Sequence, residues 1–339
     1  MEPTNQSKAL AAGKQPVLPS NIFRYVVASG GFHQLFLVAL TVVVFLIEIV
    51  PLELQRRVVN DLVKHRAYQT VIVLCLAYAG VVLFHGSTKL ALNVYRGWIG
   101  ERAGRDLRQR VSGLLNSVEG SPHVMETSGI GVSMVVSEVE PIGGFIGESL
   151  SEPLLQGGIL LSVIAYMIHL ETWMAAAALA FFLPQLVLVP LLQGSINRRN
   201  ASRVWILRKL SVNLVTQDDT PEGAGSSSDP GIERLFEVDM GIFKLKFTMN
   251  FLMNLCNHLQ VITALLVGGW YVLTDQLEIG GVVAFISAIG RLNDPWGDLV
   301  NYFRDVSGTQ VRYRLLAGAV NRLAEHRELG IGEALVASD

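Results

Sequence analysis

Apolar runs long enough to cross a bilayer alternate along this chain with stretches that keep helical spacing while turning charged. The last such stretch, Leu277 to Arg314, starts as a helix too apolar for an ordinary surface and ends as a charged amphipathic one. Only Pro295 interrupts it, and proline kinks a membrane helix more often than it ends a long one. As one rod, Ile279 to Arg322 would be roughly 66 Å long, against about 30 Å of hydrocarbon core. About half of that rod must then stand outside the lipid.

The pattern recurs from the N-terminus onward. The first apolar run is Leu35 to Val50, closed by Pro51, with Glu48 near its end, where snorkelling to the interface is expected. Glu53 to Arg66 reads as a loop of mixed charge. A second span starts near Ala67, and helical spacing continues without a stop through Arg96, Arg102, Arg105 and Arg108. Tyr68 to Asn116 would be roughly 73 Å long.

A polar bend with Gly120, Pro122, Gly129 and Gly131 follows, and a third span then runs through QGGILLSVIAYMIHL. His169 to Thr172 is the only break before the fourth, WMAAAALAFFLPQLVLVPLL, so those two form an antiparallel hairpin. The fourth span turns basic past Gln193 and continues to about Thr216. Gln217 to Gly231 is the clearest turn-rich segment. A fifth span covers Phe251 to Leu273, and Thr274 to Glu278 makes a second tight hairpin into the sixth.

Composition agrees. The chain has 339 residues, 50% hydrophobic and 17% charged, where a soluble domain carries about a quarter charged residues. A net charge of −2 with no basic tract gives no support for nucleic acid as a partner. Cys75 and Cys256 lie inside apolar runs and imply no disulfide framework. Residues 1–20 lack an apolar core, so they read as a disordered lead rather than a signal peptide. Residues 21–327 form the membrane domain, and 328–339 a C-terminal tail.

Lysine and arginine set the orientation. The hairpins at His169–Thr172 and Thr274–Glu278 hold neither, whereas the opposite helix ends are rich in both. Those ends and both termini are expected in the cytoplasm, despite Arg56, Arg57, Lys64 and Arg66 on the first outer loop. The expected fold class is an all-α membrane protein with six transmembrane helices extended into the cytoplasm. Helical projections of some 30 to 40 Å bury little apolar surface of their own, so a partner is expected at their tips.

The sequence holds no G-x-x-x-x-G-K-[ST] phosphate loop, no H-E-x-x-H, no C-x-x-C and no G-x-S-x-G. Its seven histidines are scattered, so no catalytic or metal site is expected.

Gly129, Ser133, Ser137, Glu138 and Val139 match a Gly, Ser, Ser, acidic, Val pattern. Leu277, Gly280, Phe285 and Pro295, followed by Arg304 and Asp305, match an "L-x-x-G … F … P" run with its stalk. With six spans and these loop lengths, residues 30 to 325 resemble the transmembrane domain of an ATP-binding-cassette exporter of the six-helix type. The resemblance implies the membrane subunit of an ATP-driven exporter. Such a subunit moves a lipid, hydrophobic compound or peptide by alternating access. It implies a homodimer or heterodimer with a second transmembrane subunit, contact with membrane lipid, and a location expected to be a bacterial inner membrane.

The ATPase usually follows the sixth span, and here the chain stops there. That implies a separate cassette ATPase subunit or a degenerate or truncated transporter; the separate subunit is expected to bind ATP and Mg, with no cofactor on this chain and no enzyme activity of its own. Coupling to that ATPase falls by position to Ser121, His123, Glu126 and Gly129 in the first loop. In the second loop it falls to Asp218, Asp219 and Glu222. Both sets also fit plain solvated loop. Polar residues at membrane depth, Asn254, Asn257 and His258 on the fifth span and Ser287, Arg291 and Asp294 on the sixth, are candidates for a substrate cavity. Interhelical hydrogen bonds or an Arg291–Asp294 pair would also account for them. A scaffold or regulator that keeps the fold without transport is the alternative.

Overall fold

The computed structural model describes residues 18–118, 139–217 and 230–336. Among these are nine helices and no strand: α1 (Ile22–Ile47), α2 (Val50–Val63), α3 (Tyr68–Val118), α4 (Val139–Glu148), α5 (Ser151–Leu170), α6 (Thr172–Gln217), α7 (Pro230–Leu273), α8 (Ile279–Ile289) and α9 (Asn293–Val336). The protein is therefore an all-α integral membrane protein. Five helical stretches are long and apolar enough to cross a bilayer: Gly31–Val63, Tyr68–Gly113, Ser151–Leu170, Thr172–Leu207 and Gly231–Leu273. At 51, 46 and 44 residues, α3, α6 and α7 are roughly 66–77 Å long, more than twice the hydrocarbon core.

The helix ends follow local chemistry. Asn21 caps α1, its side-chain oxygen accepting the Phe23 N–H at 2.9 Å. Two hairpin turns use a non-glycine residue in the left-handed region, His65 (φ 51) after α2 and Asp275 (φ 56) after α7. In each, the amide of that residue and the next one fold back on the last turn: His65 N to Leu62 O and Arg66 N to Asp61 O, then Asp275 N to Val272 O and Gln276 N to Tyr271 O. That pairing closes the helix end, and short polar side chains tolerate the required φ best after glycine.

Two expectations from the sequence are corrected. Glu53 to Val63 is helix, not loop. Its charges form i,i+3 and i,i+4 pairs, Glu53 with Arg56 and Arg57 at 2.8 Å, which support a helix. The sixth span is not one rod. Pro295 has no N–H for the Arg291 carbonyl and its ring crowds that carbonyl, so the helix breaks ahead of it. Arg291 N and Leu292 N turn instead to Ala288 O and Ile289 O at 3.0 and 3.1 Å. Pro295 then sits in the first turn of α9, where its missing N–H costs nothing. α8, at 11 residues, is too short to cross alone, being roughly 17 Å. Helix α9 also continues through Val336.

Helices are packed in two compact units. One holds residues 18–48, 81–158 and 301–336 of the described chain; the other holds 49–80 and 159–300.

In the first unit, α3 and α4 approach backbone to backbone through two Gly-x-x-x-Gly pairs, Gly100/Gly104 and Gly143/Gly147. A Cβ on Gly100 would lie 2.9 Å from the Gly143 carbonyl oxygen, and one on Gly147 would lie 2.3 Å from that of Arg96. Small residues at this spacing permit close packing where lipid offers helices no hydrophobic drive. Aromatic rings fill the rest: Phe23 on Phe145, Phe145 on Tyr302 and Tyr25 on Tyr313, with centroids 5.8–6.1 Å apart. Asn321 binds both backbone groups of Leu18 at 3.1 Å.

In the second unit, α6 and α7 run antiparallel, Met174 against Gly268 near the hairpin end and Arg203 against Asp239 at 2.8 Å further down. Asn60 of α2 holds α8 by its start: its Oδ1 accepts the Gly280 N–H at 2.8 Å, and its amide N donates to Glu278. Lys64 pairs with the same Glu278.

Candidate functional site

The residues expected to couple to an ATPase, Ser121, His123, Glu126 and Gly129 with Asp218, Asp219 and Glu222, lie outside the described residues, as do Ser133, Ser137 and Glu138. Val139, the last residue of that pattern, opens α4 and is fully buried. The helices that lead to these segments are described, and they carry the charge that a water-exposed half requires. Beyond the apolar part of α3 come Arg102, Arg105 and Arg108; beyond that of α6 come Arg198, Arg199 and Arg203.

An aromatic and basic cluster lies along α3. His33 Nδ1 lies 2.7 Å from the Tyr95 hydroxyl, and Tyr95 stacks on Trp98. The Arg102 guanidinium donates to His33 Nε2 at 3.1 Å and lies 5.3 Å from the Trp98 ring centroid. Arginine can only donate, so His33 Nε2 accepts and Nδ1–H donates to Tyr95. Phe32 and Trp98 remain exposed. Rings with a polar edge beside a cation are what a membrane–water boundary selects.

Several ionisable groups in or beside the spans lie close to a partner of opposite kind. Glu48, expected to snorkel, is instead mostly buried, its carboxylate 2.8 Å from His85 Nε2. Arg96 pairs with Glu152, and Gln156 donates to the same carboxylate at 2.8 Å. Tyr166 donates to Glu53 at 3.2 Å. Burial of a charge among apolar neighbours costs several kcal/mol unless a partner is present, which explains the pairing.

Of the six candidate cavity residues, Asn254, His258 and Asp294 are exposed and Asn257, Ser287 and Arg291 half-buried. Asn257 turns a polar atom inward, its Oδ1 fully enclosed without a hydrogen-bond partner among the described residues. Two glutamines that the sequence reading passed over do the same more completely. Gln185 of α6 is 1% exposed and Gln260 of α7 is 0% exposed, and neither amide has a partner among the described residues at either atom. A polar residue inside an apolar run was the available signal, and the i,i+3 spacing of Asn257 and Gln260 would have sharpened it.

Among the described residues no group of three or more His, Cys, Asp and Glu could hold a metal ion. Comparison with curated proteins gives no match. Residues 34–217, more than half of the chain, match the family model described as the ABC transporter transmembrane region. The match and the all-helical membrane architecture agree, and the chain belongs to the family of ABC transporter transmembrane domains.

Proposed function

We propose that the chain is the membrane-spanning subunit of an ATP-driven exporter that works with a separate cassette ATPase. The observation that carries this is the length of α3, α6 and α7, each more than twice what lipid requires, with arginines gathered on the excess of α3 and α6. A rigid helix of that length conveys a displacement at its tip to the bilayer, which a flexible linker would not. ATP bound between ATPase subunits would draw the tips together and favour the outward-open arrangement; nucleotide can bias the equilibrium only by preferring one state. Coupling falls to the segments around Ser121–Gly129 and Asp218–Glu222. The lysine and arginine distribution supports a cytoplasmic location for those segments and both termini.

ATP and Mg belong to the cassette ATPase. A second transmembrane subunit, identical or different, completes the pathway. Few charges at membrane depth favour a lipid, hydrophobic compound or peptide as cargo. Co-reconstitution with a cassette ATPase in proteoliposomes tests the reading. ATP hydrolysis should rise severalfold over the ATPase alone and fall back when the first tip, residues 120–127, is replaced by a glycine–serine linker. Hydrolysis indifferent to the chain would refute it.

A further inference from the structure

We propose that Gln185, Asn257 and Gln260 form a neutral polar subsite between α6 and α7 that binds the backbone amide of an apolar, peptide-like cargo. The hairpin register brings the three together. From Met174 to Gln185 is eleven residues up α6, and from Gly268 to Asn257 is eleven residues down α7. Eleven residues are about three turns, so each step returns to the same helix face. Counting from the other end agrees: Arg203 lies eighteen residues beyond Gln185 and Asp239 eighteen before Asn257, about five turns each. Met174 packs near Gly268, and Arg203 pairs with Asp239. Gln185 therefore stands across the seam from Asn257, with Gln260 one turn on.

The position is deep. Gln185 is thirteen residues from the start of α6, roughly 20 Å into a core of about 30 Å. The seam around it is apolar and closely packed, with Ala178, Phe182, Val189 and Ala264 all buried. Five enclosed polar atoms, both amide atoms of each glutamine and Asn257 Oδ1, have no partner among the described residues. Leaving such groups unmade in a dry seam is costly, and packing alone would favour leucine at these positions. Pro184 adds a further acceptor one turn away, since it has no N–H to give the Ala180 carbonyl.

The chemistry of the set selects its guest. Two NH2 groups and three carbonyl oxygens want a partner that both donates and accepts. An anion would leave the oxygens unmet and a cation the N–H groups. The secondary amide of an apolar peptide satisfies both. The seam is closed in this structure, so the guest is held occluded and enters when α6 and α7 part. This subsite rests on the reading of the chain as a substrate-carrying subunit, and it names the cargo class.

The test uses the full chain in lipid nanodiscs, with no ATPase present, so its outcome is independent of motor coupling. The probe is N-acetyl-Leu-Leu-Leu-amide, compared with its ester analogue in which backbone N–H is replaced by oxygen. The peptide should bind at least about tenfold tighter than the ester, the size of one buried hydrogen bond. The double substitution Gln185→Leu/Gln260→Leu should lose that preference while raising the thermal unfolding temperature of the ligand-free chain. Equal binding of peptide and ester by the unaltered chain, or no binding of either, overturns the proposal. So does a double variant that is less stable yet binds unchanged, because the amides would then be packing bonds of the seam.

Discussion

Substituting alanine for Gly147 puts a methyl group where the structure has no room. The added Cβ would lie 2.3 Å from the Arg96 carbonyl oxygen and 3.2 Å from its carbon. An ordinary carbon–oxygen contact is about 3.3 Å, so α3 and α4 must separate by about 1 Å at this crossing. The obstacle is backbone, which cannot rotate aside. The shift propagates to Gly100 and Gly143, already at the limit of approach. Overpacking of this kind costs about 1–3 kcal/mol. Gly144 supplies the control: a Cβ there meets nothing within 4 Å, and alanine in a helix interior gains about 1 kcal/mol over glycine. Thermal unfolding of the detergent-purified chain should place Gly147→Ala several degrees below the parent and Gly144→Ala at or above it. Two variants with the same unfolding temperature, or Gly147→Ala the more stable, would refute the close crossing.

Four other single substitutions probe the packing. Asn60→Ala strips the buried Gly280 N–H of its acceptor and should cost about 1–3 kcal/mol; Lys64→Ala, half exposed, should cost at most about 1 kcal/mol, both read by thermal unfolding. Arg96→Met leaves the mostly buried Glu152 carboxylate with Gln156 but without its cation and should cost about 3–5 kcal/mol, most of it recovered in the double variant Arg96→Met/Glu152→Met. Burial pushes the Tyr313 phenol above its ordinary range, with Tyr25 adding to the effect and Arg110 opposing it. The folded chain therefore favours the neutral phenol: this stability is fully present below about pH 10, the unfolded value, and is lost as pH rises toward the folded one. Because the Tyr313 hydroxyl is buried without a partner among the described residues, Tyr313→Phe should unfold at the same or higher temperature at pH 7 and lose less on going to pH 11.

The long helices were legible because apolar and charged halves share one period with no stop signal between them; α3 and α6 end within a few residues of the expected positions. The two tight hairpins were legible from the shortness of their polar segments. Helix α2 was not, because Glu53, Arg56 and Arg57 look like loop charges until they are seen to pair along one face. The break before Pro295 was missed for a different reason. Pro184 and Pro190 stay inside α6, so proline alone does not decide whether a helix bends or stops. Of the candidate cavity residues, Asn257 turns its oxygen inward, but its partners in the seam were hidden. A lone glutamine in an apolar run resembles a tolerated surface residue until the hairpin register sets it opposite another amide.

Helices that leave the lipid and continue as rigid rods are what the transport reading requires, and α3 offers a continuous ruler for them. Nitroxide labels placed singly along residues 70–118, in a chain with Cys75 and Cys256 replaced by alanine, report contact with oxygen in lipid or with a water-soluble nickel chelate. Oxygen should dominate through about residue 90, some 20 residues into the helix. The chelate should then dominate through Gly113 with the 3.6-residue period of an intact helix. Oxygen contact that persists to Gly113, or loss of the helical period beyond residue 90, would contradict a helix that outruns the membrane.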